Sequence, residues 1–274
     1  MSAAPPMVYT EIPCRPELAP WIAAHWHFRV DPDAGEIEHH IPLTGGAMLS
    51  VGPGAPPVIS GPRTSPLVTT VRGGELYWGT HLWPGTAAAL FADAEALRET
   101  ALPVAMLPHT GPDWSRHLPS RLAALDPWHD DAGAEAGAAR ILDAAWEDAV
   151  SRAAPLDRAV MDGVFRILAA DGEIAIAGLA ARAGLSPRQF RRRFRAACGL
   201  TPKELARVQR ARSAAVRWVS EGTPTRRGSW VHLAADQGYA DQAHLVREYR
   251  ALFGLTPGSF DRHVGRIRHG RLLR

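Results

Sequence analysis

Residues 199–202 read Gly199-Leu200-Thr201-Pro202, and residues 254–257 read Gly254-Leu255-Thr256-Pro257, the same four residues 55 positions on. Upstream, Leu179-Ala180-Ala181 returns as Leu233-Ala234-Ala235 at an offset of 54, so one residue is added after the glycines Gly184 and Gly238. A self-similarity of this length marks a duplicated structural unit. Each copy reads as a helix, a glycine turn, a second helix and a Gly-Leu-Thr-Pro stop. Gly184 and Gly238 stand where the first helix ends and positive φ is favoured. Ser186 is an N-cap with Pro187 at the first helical position, and Asp241 is the matching cap in the second copy. Phe190 and Phe194 lie four apart, hence on one buried face, and Leu245 and Tyr249 repeat that spacing. Each copy is therefore a helix-turn-helix.

The opposite face of the first copy carries Arg188, Arg191, Arg192 and Arg195. Four cations on one helix face repel each other unless something negative neutralises them. A solvated charged face is the bland reading; the repeat and the turn-to-helix spacing favour DNA. Between the copies, residues 203–219 read as the longest helix, with Leu205, Val208, Ala211, Ala215 and Trp218 on helical spacing. Gly222, Thr223 and Pro224 end it.

The whole chain of 274 residues has a formal charge of +3, which averages two unlike halves. Residues 1–155 hold 9 Arg and 18 Asp+Glu, a charge of −9; residues 156–274 hold 22 Lys+Arg and 10 Asp+Glu, a charge of +12. That asymmetry points to two domains and a polyanionic partner for the basic one. A hydrophobic content of 46% excludes a wholly disordered chain. No apolar run approaches the roughly 18–20 residues of a membrane helix, and no signal peptide is legible at the N-terminus. Cys14 and Cys198 fall in opposite halves and build neither a disulfide framework nor a cysteine zinc motif. The expected setting is the cytoplasm, with reduced thiols and no membrane partner.

The acidic half is strand-like to about residue 90. Prolines and glycines cluster over 42–66, between short runs such as residues 47–51, 58–60 and 67–71. Such punctuation suggests a sandwich or barrel. Trp26, Phe28 and Val30 alternate with His25, His27 and Arg29, a pattern for a half-buried strand, and residues 75–83 read as another. Helices are expected at about 86–98, 113–125 and 133–150.

The basic half resembles the AraC/XylS family of transcriptional regulators over residues 157–264, including the run from Gly238-Tyr239-Ala240-Asp241 through Leu255-Thr256-Pro257. The resemblance implies two helix-turn-helix units joined by the 203–219 helix, with recognition helices entering major-groove faces about 34 Å apart. Carried over position by position, Arg188, Arg191 and Arg192 are the base readers of the first unit. Gln242, Ala243, Val246 and Arg247 are those of the second, and Arg195 and Arg250 face phosphates. Arginine suits guanine O6/N7, Gln242 suits adenine, and Ala243 or Val246 suits a thymine methyl. His244 reads equally as a packing residue. Ala175 stands where a Ser or Thr cap is usual, and Gly178 weakens the same helix. Arg262, Arg266, Arg268, Arg271 and Arg274 form a basic tail, with phosphate contact or disorder as its two readings.

Residues 8–150 resemble the cupin-like sensor of one subgroup, on Tyr9-Thr10-Glu11, residues 16–22, Gly61-Pro62-Arg63-Thr64 and residues 83–88. That subgroup often has a Pro-Asp-Gly turn; here Pro42-Leu43-Thr44-Gly45-Gly46 stands instead. Trp26, Tyr77 and Trp78 are candidates to line a small-molecule effector pocket, with Arg63 for an anionic group; ordinary core and an ion pair are the plainer readings. His25, His27, His39 and His40 are the candidate metal ligands, since cupin barrels hold metals with such sets and imidazole suits Zn, Fe, Ni or Cu. Strand histidines with no common centre are the plainer reading, so a metal cofactor is not expected.

The fold class that results is α+β in two domains. Residues 1–154 are read as an acidic, β-rich, cupin-like barrel with flanking helices that senses or dimerises. Residues 155–274 are read as an all-α DNA-binding domain with two helix-turn-helix units and a basic tail. The expected function is non-enzymatic: a regulator, monomeric or homodimeric, binding double-stranded DNA and a small-molecule effector, and RNA polymerase if it activates. The alternative is a metal-binding cupin-type enzyme or metal sensor fused to a DNA-binding domain.

Overall fold

The proline- and glycine-punctuated text folds into short strands. The computed structural model describes residues 5–107, 115–221 and 237–272, without the side chains of 218–221. The strands are β1 (Met7–Ile12), β2 (Ile22–Val30), β3 (Ile37–Ile41), β4 (Met48–Val51), β5 (Val58–Ser60), β6 (Leu67–Val71), β7 (Leu76–Leu82), β8 (Ala101–Pro103) and β9 (Ile267–His269). Seven form one sheet in the order β8-β5-β4-β7-β2-β1-β9, and β3 pairs with β6 in a second. An apolar cluster packs between the sheets: Met7, Trp26, Phe28, Val30, Ile37, Met48, Val71 and Ile267.

The other face of the large sheet is covered by helices. Here lie α1 (Ala87–Phe91), α2 (Leu118–Ala123) and α3 (Asp131–Ser151). Their core joins Leu49, Ile59, Trp78 and Leu82 to Phe91, Leu122, Leu142 and Trp146. The expected helix over 86–98 shrinks to α1, because Ala92 takes φ 69° and turns the chain. The helix expected over 113–125 is described only from residue 118, and residues 113–114 lie outside the described residues.

β2 departs from the half-buried strand its alternation predicted. Residues 24–30 are buried on both faces. Trp26, Phe28 and Val30 face the interior, while His25, His27 and Arg29 meet α3, whose facing residues are acidic. His25 Nε2 lies 3.0 Å from Asp143 Oδ1, and His25 Nδ1 lies 2.8 Å from Thr80 Oγ1. Arg29 donates to both Asp131 oxygens at 2.6 and 3.0 Å. Polar strand residues are tolerated inside because complementary groups meet them there.

The C-terminal half begins with α4 (Arg158–Ala169), α5 (Ile176–Arg182) and α6 (Pro187–Cys198), then the long α7 (Pro202–Glu221). Val160, Val164, Ile167, Leu179, Phe190, Phe194 and Leu205 make one core. The second unit is described from residue 237 and holds α8 (Gln242–Phe253) and α9 (Pro257–Val264). Leu245, Tyr249, Phe253 and Phe260 pack on Val208 and Ala211 of α7 in a second core. The expected residues Trp218, Gly222, Thr223, Pro224 and Leu233-Ala234-Ala235 lie outside the described side chains or residues.

The halves interlock. Leu43 of the acidic half sits in the core of the second helical unit. Arg98 donates to Glu204 at 2.9 and 3.2 Å and to the Gly199 carbonyl at 3.4 Å. His40 meets the Phe253 carbonyl at 2.8 Å, and its backbone N–H donates to His263 Nε2 at 3.3 Å. The basic tail is in part structured: β9 pairs in parallel with β1, Met7 opposite Ile267 and Tyr9 opposite His269.

Candidate nucleic-acid interface

α6 is built by its own sequence. The Ser186 hydroxyl accepts from the Gln189 N–H while the Gln189 side chain reaches back to the Ser186 N–H, a capping box with Pro187 at the first turn. Gly199 ends the helix with φ 69° and ψ −8°, the left-handed conformation that costs glycine least. Phe190 and Phe194 are only 1% and 0% exposed, each contributing roughly 1.5–3 kcal/mol by leaving water. That burial fixes the roll of the helix and turns Arg188, Arg191 and Arg192 outward.

α8 repeats the design. The Asp241 carboxylate accepts from the His244 N–H at 2.6 Å, and Gly254 closes the helix with φ 72° and ψ 0°. Leu245 and Tyr249 are fully buried. Gln242, Ala243, Arg247 and Arg250 are exposed and Val246 is half-buried, and these five line one shallow hollow on the helix surface. The His244 ring stands edge-on to Tyr239 at 5.3 Å, the packing role read for it. Ala175, the N-cap of α5, makes no side-chain cap bond.

Ion pairing sorts the arginines. Arg193 holds Asp157 at 2.7 Å, Arg217 holds Asp171 at 3.0 Å, and Arg207 holds Glu248. Those three fasten helix to helix. Arg195 is bound 2.6 Å from Glu95 of the acidic half. Arg188, Arg191, Arg192, Arg247 and Arg250 make no ion pair with a described residue, so their charges face solvent uncompensated. Where the halves meet, Glu204 is ionised by its pairing with Arg98. Partial burial pushes its carboxyl up, but hydrogen bonds from Arg98 and Thr201 outweigh this and hold it at about 2. Burial pushes the Cys198 thiol well up, which leaves it protonated and inert.

Comparison with known proteins agrees with this geometry. A family described as a helix-turn-helix domain, of the AraC type, matches residues 179–263. The chain carries an AraC-type DNA-binding domain. Residues 10–103 match a second family, described as a domain of unknown function, DUF6597. No curated protein sequence matches. Among solved structures the chain is similar to ToxT of Vibrio cholerae. An unsaturated-fatty-acid-bound form has 11% identity and a TM-score of 0.45, over 93% of each chain. A form from strain O395 has 6% identity and a TM-score of 0.44, over 94% of this chain and 98% of that one. No helix among the described residues is long and apolar enough to cross a membrane.

The metal set read from the sequence does not converge. His25 and His27 face α3, whereas His39 stacks on Phe28 at 4.5 Å and His40 reaches Phe253 and Glu38. β3, which carries His39 and His40, pairs with β6 in the two-stranded sheet and is no neighbour of β2, which separates the two pairs. His39 is neutral: burial first, then His263 and His40, lower it to about 3.

The effector set also divides. Trp26 and Tyr77 line the interior between the sheets, while Trp78 lies on the opposite face among the helices. Arg63 sits 3.6 Å from Glu99, an ion pair, and lines a cavity of about 20 Å³ with Leu43, Met48 and Leu67. That volume suits about one water.

The acids of α3 went unread in the sequence. Asp131, Glu135, Asp143 and Glu147 recur at spacings of four and eight on an alanine-rich helix, one stripe along its length. That periodicity was the available signal for a polar face opposite β2. Arg98 and Glu204 had none, because their pairing joins distant segments.

Proposed function

We propose that the chain is a sequence-specific transcription regulator in which Arg188, Arg191 and Arg192 of α6 and Gln242, Ala243, Val246 and Arg247 of α8 read base edges. Arg195 and Arg250, one turn further along, hold phosphates. The observation that carries this reading is the selective pairing of arginines. Arg193, Arg207 and Arg217, turned toward the protein, have acidic partners, while Arg188, Arg191, Arg192, Arg247 and Arg250 on the two outward helix faces have none among the described residues; Arg195, on the same outward face, is held by Glu95. Uncompensated cations at equivalent places on two duplicated helices are the electrostatic footprint of a nucleic-acid surface.

In this reading residues 155–274 bind DNA, and residues 1–154 are a sensor or dimerisation domain. The regulator acts in the cytoplasm without a catalytic step, and an activator of this build also meets RNA polymerase. The effector's groups are better sought between the sheets, where Tyr9, Trp26 and His81 cluster. The Tyr9 hydroxyl lies 3.0 Å from His81 Nε2, and the buried Trp26 Nε1 and His81 Nδ1 have no hydrogen-bond partner among the described residues. Burial and the charge of Arg212, on α7, lower His81 to about 3. An effector bound there would act on the helix that joins the two recognition units.

The test is binding to duplexes selected from a random pool by the purified protein. Arg191→Ala or Arg247→Ala should relax base preference at one position. Arg250→Ala should weaken all duplexes alike and reduce the salt slope by about one. Failure to select any sequence would sink the reading.

A further inference from the structure

The outer face of β2 holds a histidine that the fold engages only loosely. The His27 ring is wholly buried, and neither of its nitrogens has a hydrogen-bond partner among the described residues. Its Nε2 points at α3 and stops 3.5 Å from Glu135 Oε1. His25, two residues back, is different: both its nitrogens are engaged, by Thr80 and Asp143. Asp131 lies one helical turn before Glu135 and so on the same face. One ligand atom from each of His27, Asp131 and Glu135 lies within 4.8 Å of the others. A tetrahedral ion with bonds of about 2.1 Å holds its ligand atoms roughly 3.4 Å apart. The His27–Glu135 separation already has that length.

We propose that His27, Asp131 and Glu135 form a divalent transition-metal site, best suited to Zn²⁺, clamping β2 to the first turns of α3. The donor set is one imidazole and two carboxylates without thiolate, which suits a borderline ion such as zinc. Asp131 has a half-exposed side chain and provides the entry, with a solvent molecule as the fourth ligand.

Arg29 is the natural objection, since it already grips Asp131. A carboxylate offers about four lone-pair sites, and Arg29 uses one on each oxygen. The guanidinium is itself fixed, donating to the Pro127 carbonyl and lying 5.2 Å over the Trp128 ring. It therefore orients Asp131 as an outer-shell partner orients a ligand. It also offsets one of the two acidic charges, which weakens the hold on the ion and favours an exchangeable one.

The test uses the full chain, stripped of metal and titrated with Zn²⁺ by calorimetry, beside the Glu135→Gln variant. The expected result is about one zinc per chain and at least tenfold weaker uptake in Glu135→Gln. Because the chain has 12 histidines, X-ray absorption of the zinc-loaded wild type must also show a nitrogen and oxygen shell with a single imidazole. No uptake, uptake unchanged by Glu135→Gln, or a shell with sulfur or several imidazoles would overturn the proposal. Should Glu135→Gln fail to fold by circular dichroism, the absorption spectrum of the wild type decides alone.

Discussion

Replacing Glu95 by glutamine should tighten DNA binding, because Glu95 occupies a cation that the duplex would otherwise use. Arg195 Nη2 lies 2.6 Å from Glu95 Oε1, and the two side chains are 49% and 50% exposed. An ion pair that open to water is worth about 0–1 kcal/mol. Releasing Arg195 can therefore improve binding by at most about 1 kcal/mol, roughly fivefold. One more phosphate neutralised should steepen the dependence of log K on log salt by up to about 0.9. The assay is fluorescence anisotropy on a selected duplex across salt concentrations. Removing a negative charge also raises the field of the whole protein, so Arg195→Ala and the double variant complete a cycle. If Glu95→Gln strengthens binding equally when Arg195 is absent, or changes neither affinity nor slope, the reasoning fails.

Three further outcomes are expected. Gly178 lies exposed inside α5 with nothing within 4 Å of an added β-carbon, so Gly178→Ala should stabilise by about 0.5–1 kcal/mol, read as a rise in Tm by calorimetry. Gly199→Ala should do the reverse, losing more than about 1 kcal/mol in a denaturant titration, because φ is 69° and the new β-carbon would strike the Ala94 carbonyl. Acid should loosen the contact between the halves. His39 and His263 are depressed to about 3 and about 4, chiefly by burial, so the unfolded chain binds more protons as pH falls below about 6.5. Stability present at neutral pH should then fall between pH 6.5 and 4, by on the order of 1 kcal/mol per histidine for each pH unit, and His263→Gln should flatten the urea-midpoint profile.

The helical half was legible because its signals are local. Caps, glycine stops and the four-residue aromatic spacing each act within one turn, and the duplication stated them twice. The outward faces of α6 and α8 follow from the buried positions of Phe190, Phe194, Leu245 and Tyr249. The strands between the prolines were legible for the same reason, and β4 to β7 fall within the expected runs. What the sequence hid was partnership. Whether His25 and His27 meet solvent, metal or acid depends on a helix more than 100 residues away, and the alternation of β2 is the same in each case. His39 and His40 joined the metal set on the expectation that their strand neighbours that of His25 and His27, whereas β3 pairs with β6 in the other sheet. Trp26 and Trp78 looked like one pocket for a similar reason.

The pairing of β1 with β9 joins residues 7–9 to residues 267–269. During synthesis the outer edge of β1 has no partner until the chain has been made through residue 269. The sheet of the acidic half is thus finished only after both helical units have appeared, a pairing of high contact order and correspondingly slow to close. An acidic half expressed alone would carry β1 as a bare edge, six residues long, ready to accept a strand from another chain.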